Sequence, residues 1–280
     1  MSPDLNIDLH THSTCSDGKL APAALVAHAA AAGIQVLALT DHDSVAGLAE
    51  ADAAARSHGI TLVPGVEISA AWRAQSIHIL GLWIDPANPA LQAALASQAS
   101  RRTQRMRAIC EQLGSRGLPG EELLAAASAH GGVPTRSHLA AALVAGGHAR
   151  STDDAFRRFL GKGKAAQLAT DWPAVRAVTG WITACGGIAT LAHPGRYRLS
   201  AGGRRQLFAE FVGSGGAGLE VVSGPNAAHN AEACGRWAQG LGLQGSVGSD
   251  FHDPQLSWNP LGRLAKLPPG VVPVWRDRLG

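Results

Sequence analysis

Leu5-Asn6-Ile7-Asp8-Leu9-His10-Thr11-His12 is the stretch that decides the fold. In extended backbone, side chains alternate between faces, so His10 and His12 point the same way and can grip one metal ion. The same design, an apolar run ending in a possible metal ligand, recurs along the chain. It appears at Asp17, at Asp41-His42-Asp43, at Glu67, at His78, at His193, and at Asp250 with His252. Parallel sheets and barrels place their chemistry at such strand ends and in the turns that follow.

Working outward from that stretch, short apolar runs alternate with longer Ala- and Leu-rich segments of helical period. The runs predict strands at Leu5 to His10, Gln35 to Thr40, Thr61 to Val66, Ile77 to Trp83, Gly187 to Ala192, Gly218 to Ser223 and Gln244 to Ser249. Helices are expected at Pro22 to Ala32, Ser44 to Ser57, Trp172 to Ala184, Arg204 to Val212 and Asn226 to Gln239. Ser44 is suited to cap, and Pro22 and Pro173 to a first turn. This β-α alternation predicts an α/β fold with a mainly parallel sheet closed into a barrel.

One region breaks the rhythm. Between Ala90 and Lys164 the pattern is helical throughout, at Leu91 to Leu113, Gly120 to Ala129, Ser137 to Gly146 and Thr152 to Leu160, with Gly and Pro punctuation. Residues 90–164 therefore read as an inserted helical subdomain over the mouth of a barrel built from 1–89 and 165–280.

A length of 280 residues, 46% hydrophobic and 16% charged, describes a globular chain rather than a disordered one. A net charge of +3 with few aromatics gives poor support for a nucleic-acid scaffold and suits an anionic small substrate equally well. Cys15, Cys110, Cys185 and Cys234 form no CxxC pair, which leaves reduced thiols and a cytoplasmic setting as the simplest expectation. The N-terminus lacks a signal-peptide pattern, and no apolar stretch is long enough to span a bilayer, so no membrane role is expected.

Of the 12 histidines, His10, His12, His42, His78, His193 and His252 fall at strand ends in the company of carboxylates. Any one of them alone would be better explained by a structural or exposed role than by a metal. Together with Asp17, Glu67 and Asp250 they make nine candidate ligands, and buried groups of this kind are costly unless paired or metal-bound. Imidazoles and carboxylates without a thiolate favour manganese, iron or zinc over a cysteine-based structural zinc. Two or three divalent ions sharing a bridging carboxylate would use the whole set and leave the cluster cationic. Such a field suits a phosphate ester, and the ions would lower the pKa of bound water.

The runs Asp8 to His12, Thr40 to Asp43, Leu191-Ala192-His193-Pro194 and Gly248-Ser249-Asp250-Phe251-His252, with Asp17, Glu67 and His78, resemble the polymerase and histidinol phosphatase (PHP) family of the amidohydrolase superfamily. The resemblance covers almost the whole chain. It implies a distorted seven-stranded (β/α) barrel. It also implies one metal site of His10, His12, Glu67 and Asp250, a second of Glu67, His78 and His193, and a third of Asp17, His42 and His252. Manganese is the first expectation, with iron or zinc as alternatives.

Within the family the likeness is to stand-alone bacterial enzymes with a helical insert that remove the 3′-phosphate of 3′,5′-nucleoside bisphosphates. Some relatives instead trim short RNA or DNA oligonucleotides from the 5′ end. Pro134-Thr135-Arg136-Ser137-His138, at an expected helix start, carries part of that likeness, as do Gly161 to Lys164 and His193 to Tyr197. A helix N-terminus with an arginine fork is an anion site, which makes Thr135, Arg136, Ser137 and His138 candidate substrate contacts. Arg102 and Arg105 share a helix face and are candidates too, although a solvated face explains either one alone. Arg196 and Tyr197 are expected beside the ligands or at the rim. The resulting expectation is a phosphatase of small nucleotides with no obligate protein partner. The alternatives are a 5′-3′ exonuclease, a histidinol-phosphate phosphatase, and a binding module that has lost its ligands.

Overall fold

The structure is a computed structural model describing residues 5–73, 75–161, 163–164, 168, 171–224, 228–256 and 259–279. Its strands stand side by side in chain order: β1 (Ile7–Asp8), β2 (Val36–Leu39), β3 (Thr61–Trp72), β4 (Gln75–Leu82), β5 (Ile188–Leu191), β6 (Gly218–Ser223) and β7 (Gln244–Gly248). Runs such as Val36-Leu37-Ala38-Leu39 are buried on both faces, as a parallel sheet covered by helices requires. The first and last strands meet where the Leu9 N–H donates to the Val247 carbonyl at 3.0 Å and the His12 N–H to Phe251 at 2.9 Å. The result is the expected α/β barrel, seven-stranded and nearly closed.

The distortion lies in β4, which runs antiparallel to both β3 and β5, whereas the other neighbours are parallel. β3 does not stop at Val66. Ile68, Ser69, Ala70 and Trp72 are also buried, and they continue the ladder to Trp72, pairing Ser69 with His78 and Glu67 with Leu80. Glu67 is therefore a mid-strand residue. Because β4 is reversed, its first half lies at the end of the barrel where the parallel strands finish, and His78 arrives there from the opposite direction.

Helices α1 (Pro22–Ala31) and α2 (Leu48–His58) pack beside the first strands. Pro22 occupies the first turn of α1 as expected. Ser44 does not cap α2, which begins after Gly47; its hydroxyl instead accepts the Ala46 N–H in a local turn. After β4 come α3 (Pro89–Gly114), α4 (Gly120–Ser128), α5 (Arg136–Ala145) and α6 (Thr152–Ala155), the last relaxing into a π turn over Phe156–Leu160. The chain then forms α7 (Val175–Ala184), α8 (Ala201–Gly213) and α9 (Ala228–Leu241). Pro173 lies just ahead of α7, where its carbonyl accepts the Ala71 N–H at 2.7 Å. Lys162, Asn226 and the side chain of His229 lie outside the described residues.

Two hydrophobic clusters divide the interior. One joins the barrel strands to α1, α2, α7, α8 and α9. The other holds Met106, Ile109, Leu113, Leu123, Leu139, Leu143 and Leu160. α3 links them, with Leu91 and Leu95 in the first and Ile109 and Leu113 in the second. The four cysteines are unpaired, and no helix among the described residues is long and apolar enough to cross a membrane.

Candidate metal centre

The strand-end residues converge at the mouth of the barrel around Glu67. Its Oε1 lies 3.4 Å from His10 Nε2, 3.0 Å from His78 Nδ1 and 3.2 Å from His193 Nε2. Its Oε2 lies 3.4 Å from His12 Nε2 and 2.8 Å from His42 Nδ1. Asp250 Oδ1 faces His10 Nε2 at 3.4 Å and His12 Nε2 at 3.3 Å. Asp17 Oδ1 faces His252 Nε2 at 3.3 Å and His42 Nε2 at 3.9 Å. Backbone geometry helps to aim them: Asp250 (φ 57°) and His193 (φ 31°) both adopt left-handed conformations that only a well-determined surrounding sustains in non-glycine residues.

Donor atoms gather into overlapping groups in which all lie within 4.8 Å of one another: His10, His12 and Glu67; His42, Glu67 and His78; and His12, Asp17, His42 and His252. Buried Asp17 Oδ1, Glu67 Oε2 and His42 Nδ1 have no well-formed hydrogen bond. The His42 Nδ1 and Glu67 Oε2 atoms lie 2.8 Å apart and attract each other. Convergent lone pairs left over in a buried place are what divalent cations bound by nitrogen and oxygen need.

The carboxylates are held ready. Burial opposes the charge on Glu67, yet His78, His42 and His10 outweigh it and keep the carboxyl well below its ordinary range. Asp17, opposed by burial but facing His252 and His42, is likewise held low. Asp250 is held low by His10, His12 and His252 against the same penalty. Among the imidazoles the effects alternate. Burial and the neighbouring His252 lower His12 to about 3. His252 itself, despite burial, is raised to about 10 by Asp17 and Asp250.

Asp41 and Asp43 turn away from the cluster. Asp41 accepts from the Ser13 N–H at 2.7 Å and from the Ser13 and Ser16 hydroxyls at 2.6 Å each, and Ser16 Oγ lies 3.4 Å from His12 Nδ1. Asp43 accepts from the Ser69 N–H, from Gln98 Nε2 and, at 2.6 Å, from Arg102 Nε. Arg102 also donates to Ser69 Oγ at 2.9 Å, and its guanidinium sits 5.4 Å from the ring centre of Trp172. This buried tie between α3 and β3 accounts for Arg102 without any bound molecule. Replacing it with Ala strands Asp43 and should cost about 3–5 kcal/mol, the scale for breaking a buried pair by removing one partner. Urea denaturation measures that loss, and a change below 1 kcal/mol, within the usual range of exposed ion pairs, would reject it.

Arg136 and His138 feel the charge of Asp17. The turn before α5 is seated on the turn after β1: the Val133 N–H donates to the Cys15 carbonyl at 3.3 Å, and a Cβ on Gly132 would stand 2.8 Å from the Thr14 carbonyl. Thr135 caps α5 by accepting the Ser137 N–H at 3.2 Å, and the Thr135 N–H donates to His138 Nδ1 at 3.2 Å, so both side chains have local work. The His138 ring stacks on His130 at 4.9 Å. Arg136, at the first position of the helix, reaches solvent. Crowding by protein, with Arg102 adding repulsion and Asp17 opposing it, lowers its pKa. Arg105 is lowered to about 10 by burial, then by Arg136 and Arg102. These guanidiniums crowd together near the donor cluster.

Comparison with known proteins agrees with this geometry. The PHP domain matches residues 8–158, more than half of the chain. This chain belongs to the PHP family. A 5′-3′ exoribonuclease of Haemophilus influenzae is 43% identical over 268 residues, covering 96% of this PHP chain and 97% of that one. A 3′,5′-nucleoside bisphosphate phosphatase of Chromobacterium violaceum is 40% identical, with 97% and 96% covered. The solved structure of a Chromobacterium violaceum amidohydrolase, with bound sulfate and no metal, superposes with a TM-score of 0.90 at 39% identity, covering 97% and 95% of the two chains.

Strand-end reasoning missed one residue of this PHP site altogether. Glu220, fully buried on β6, reaches both His10 and His193. Its signal was a lone carboxylate inside the apolar run Gly218 to Ser223, a position where charge is unaffordable without partners. Arg196 pairs with the Asp250 carboxylate, and the Tyr197 hydroxyl accepts the His78 N–H at 2.9 Å, which places both beside expected ligands. Gly248 keeps this corner open. A Cβ there would lie 2.3 Å from His10 Cβ and 2.5 Å from Glu220 Oε1. Gly248→Ala should therefore destabilise the fold by about 1–3 kcal/mol, as overpacking does, and weaken metal uptake with it. An unchanged denaturation midpoint would show that the corner has slack.

Proposed function

We propose that this chain is a metal-dependent phosphatase that removes the 3′-phosphate of 3′,5′-nucleoside bisphosphates, leaving the nucleoside 5′-monophosphate. The observation that carries this reading is a Glu67-centred donor cluster whose outlying ligand Asp17 meets the charge of Arg136, itself beside Arg105, which offers two anion sites to one substrate. His10, His12, Glu67 and Asp250 would hold one ion, Glu67, His78 and His193 a second, and Asp17, His42 and His252 a third, with manganese favoured and iron or zinc as substitutes. When bound, such ions lower the pKa of water and neutralise charge developing on the phosphate.

The chain's own groups do the rest. Glu67, Asp17 and Asp250 stay ionised as ligands. Arg136, with Arg105 behind it, holds the second phosphate by charge and, in the case of Arg136, by a bidentate fork at the start of α5. Ser137, Thr135 and His138 fix that helix start. On this reading the barrel of residues 1–89 and 165–280 supplies the chemistry and the helices of 90–164 the selectivity. Unpaired thiols suit a cytoplasmic location.

A second reading, a 5′-3′ exonuclease on short oligonucleotides, is favoured by the solvent-facing position of Arg136, which leaves that side open to a longer chain. Histidinol phosphate fits less well, because crowded guanidiniums repel a cationic amino alcohol. The test is a screen of manganese-reconstituted protein against nucleoside bisphosphates, monophosphates, short RNAs and histidinol phosphate, with released phosphate and product identity as readouts. Bisphosphates should turn over best, chelator should abolish activity, and Mn²⁺ should restore it. Activity rising with oligonucleotide length selects the second reading, and no turnover of any ester rejects both.

A further inference from the structure

We propose that Glu220 is a positioning residue that locks two metal-ligand histidines from different strands into one geometry. The inference rests on His10 and His193 being ligands. Glu220 Oε1 lies 2.8 Å from His10 Nδ1, and Oε2 accepts the His193 backbone N–H at 2.5 Å. With Glu220 Oε1 as the acceptor of this pair, His10 carries its proton on Nδ1. That leaves the Nε2 lone pair directed at the donor cluster, where it lies 3.4 Å from Glu67 Oε1 and 3.4 Å from Asp250 Oδ1. The second oxygen works on backbone. His193 adopts φ 31°, costly for a residue with a Cβ, and the N–H that this turn exposes is buried against Glu220.

Both oxygens are needed at once. A carboxamide at this position would satisfy one N–H with its carbonyl and set its own NH₂ against the other, while aspartate is one methylene too short to span both. Neither conservative variant can therefore reproduce the pair of acceptors.

The experiment measures Mn²⁺ affinity of the full-length chain by competition with a chromogenic chelator for wild type, Glu220→Gln, Glu220→Asp and His10→Ala. Thermal melting reports folding. Both Glu220 variants should bind Mn²⁺ about 10- to 100-fold more weakly, the range for groups that orient metal ligands. At saturating Mn²⁺ the Glu220→Gln variant should regain much of its kcat with KM little changed, as a group remote from substrate would. A second measurement needs no variant at position 220. In the Zn²⁺-loaded, ¹⁵N-histidine-labelled wild type, the His10 resonance, assigned by its loss in His10→Ala, should show Nε2 bound and a protected proton on Nδ1. Wild-type affinity in Glu220→Gln, or Nδ1 as the bound atom, overturns the inference. Loss of Mn²⁺ in His10→Ala with wild-type affinity in Glu220→Gln overturns it alone, whereas unchanged affinity in His10→Ala overturns the ligand assignment as well.

Discussion

Glu67→Gln is expected to lower kcat/KM for a nucleoside bisphosphate by at least about 10³-fold, the upper range for losing one preorganised charge-stabilising group. Glutamine keeps the size of the side chain and leaves β3 intact, including the Glu67 N–H donated to the Asp41 carbonyl and the Asp43 N–H received by the Glu67 carbonyl. What it removes is the negative charge facing five imidazoles, those of His10, His12, His42, His78 and His193. No other carboxylate of the cluster touches both the His10 and the His78 sides. The loss should therefore reach every shared ion, so metal content measured on the purified variant should fall together with turnover. Retention of full metal content with activity within tenfold of wild type would show that Glu67 is not the bridge.

The centrality of Glu67 was only half legible. Its residue type stood out after an apolar run, but the run continues through Ile68 to Trp72, so Glu67 belongs to mid-strand and the reversed β4 brings His78 to it. Local alternation cannot signal such a reversal, since a strand reads the same in either direction. His10 and His12 were legible for the opposite reason: a period of two fixes their common face wherever the strand goes. Arg102 illustrates what spacing alone leaves open. Its helix face could be read, but the choice between phosphate and Asp43, 59 residues away in sequence, is made by packing. Ser44 shows the same limit locally, where hydrogen bonding to Ala46 displaced the expected cap. Glu220 was legible by a different signal, a carboxylate inside a buried strand, where charge requires partners and meets His10 and His193.

Arg136→Ala should raise KM for a 3′,5′-bisphosphate by about tenfold or more while leaving KM for a nucleoside monophosphate nearly unchanged, given the strength of hydrogen bonds to charged groups. The asymmetry follows from where the residue sits. Arg136 starts α5, beside Arg105, and of the nine candidate ligands it is Asp17 that its charge meets. A monophosphate held at the cluster has nothing for Arg136 to grip, whereas a bisphosphate brings a second dianion within reach. Arg136→Lys should recover only part of the loss, because an ammonium supplies charge without the planar fork. Removing Arg136 also relieves the repulsion on Arg105, so the fold should not weaken, and thermal melting separates a binding effect from an unfolding one. Added salt should shrink the difference between the two substrates, since the guanidinium faces solvent and its field is screened. Equal changes in KM for both substrates would remove Arg136 from the second-phosphate site and leave the selectivity of the helical segment to be carried by another residue.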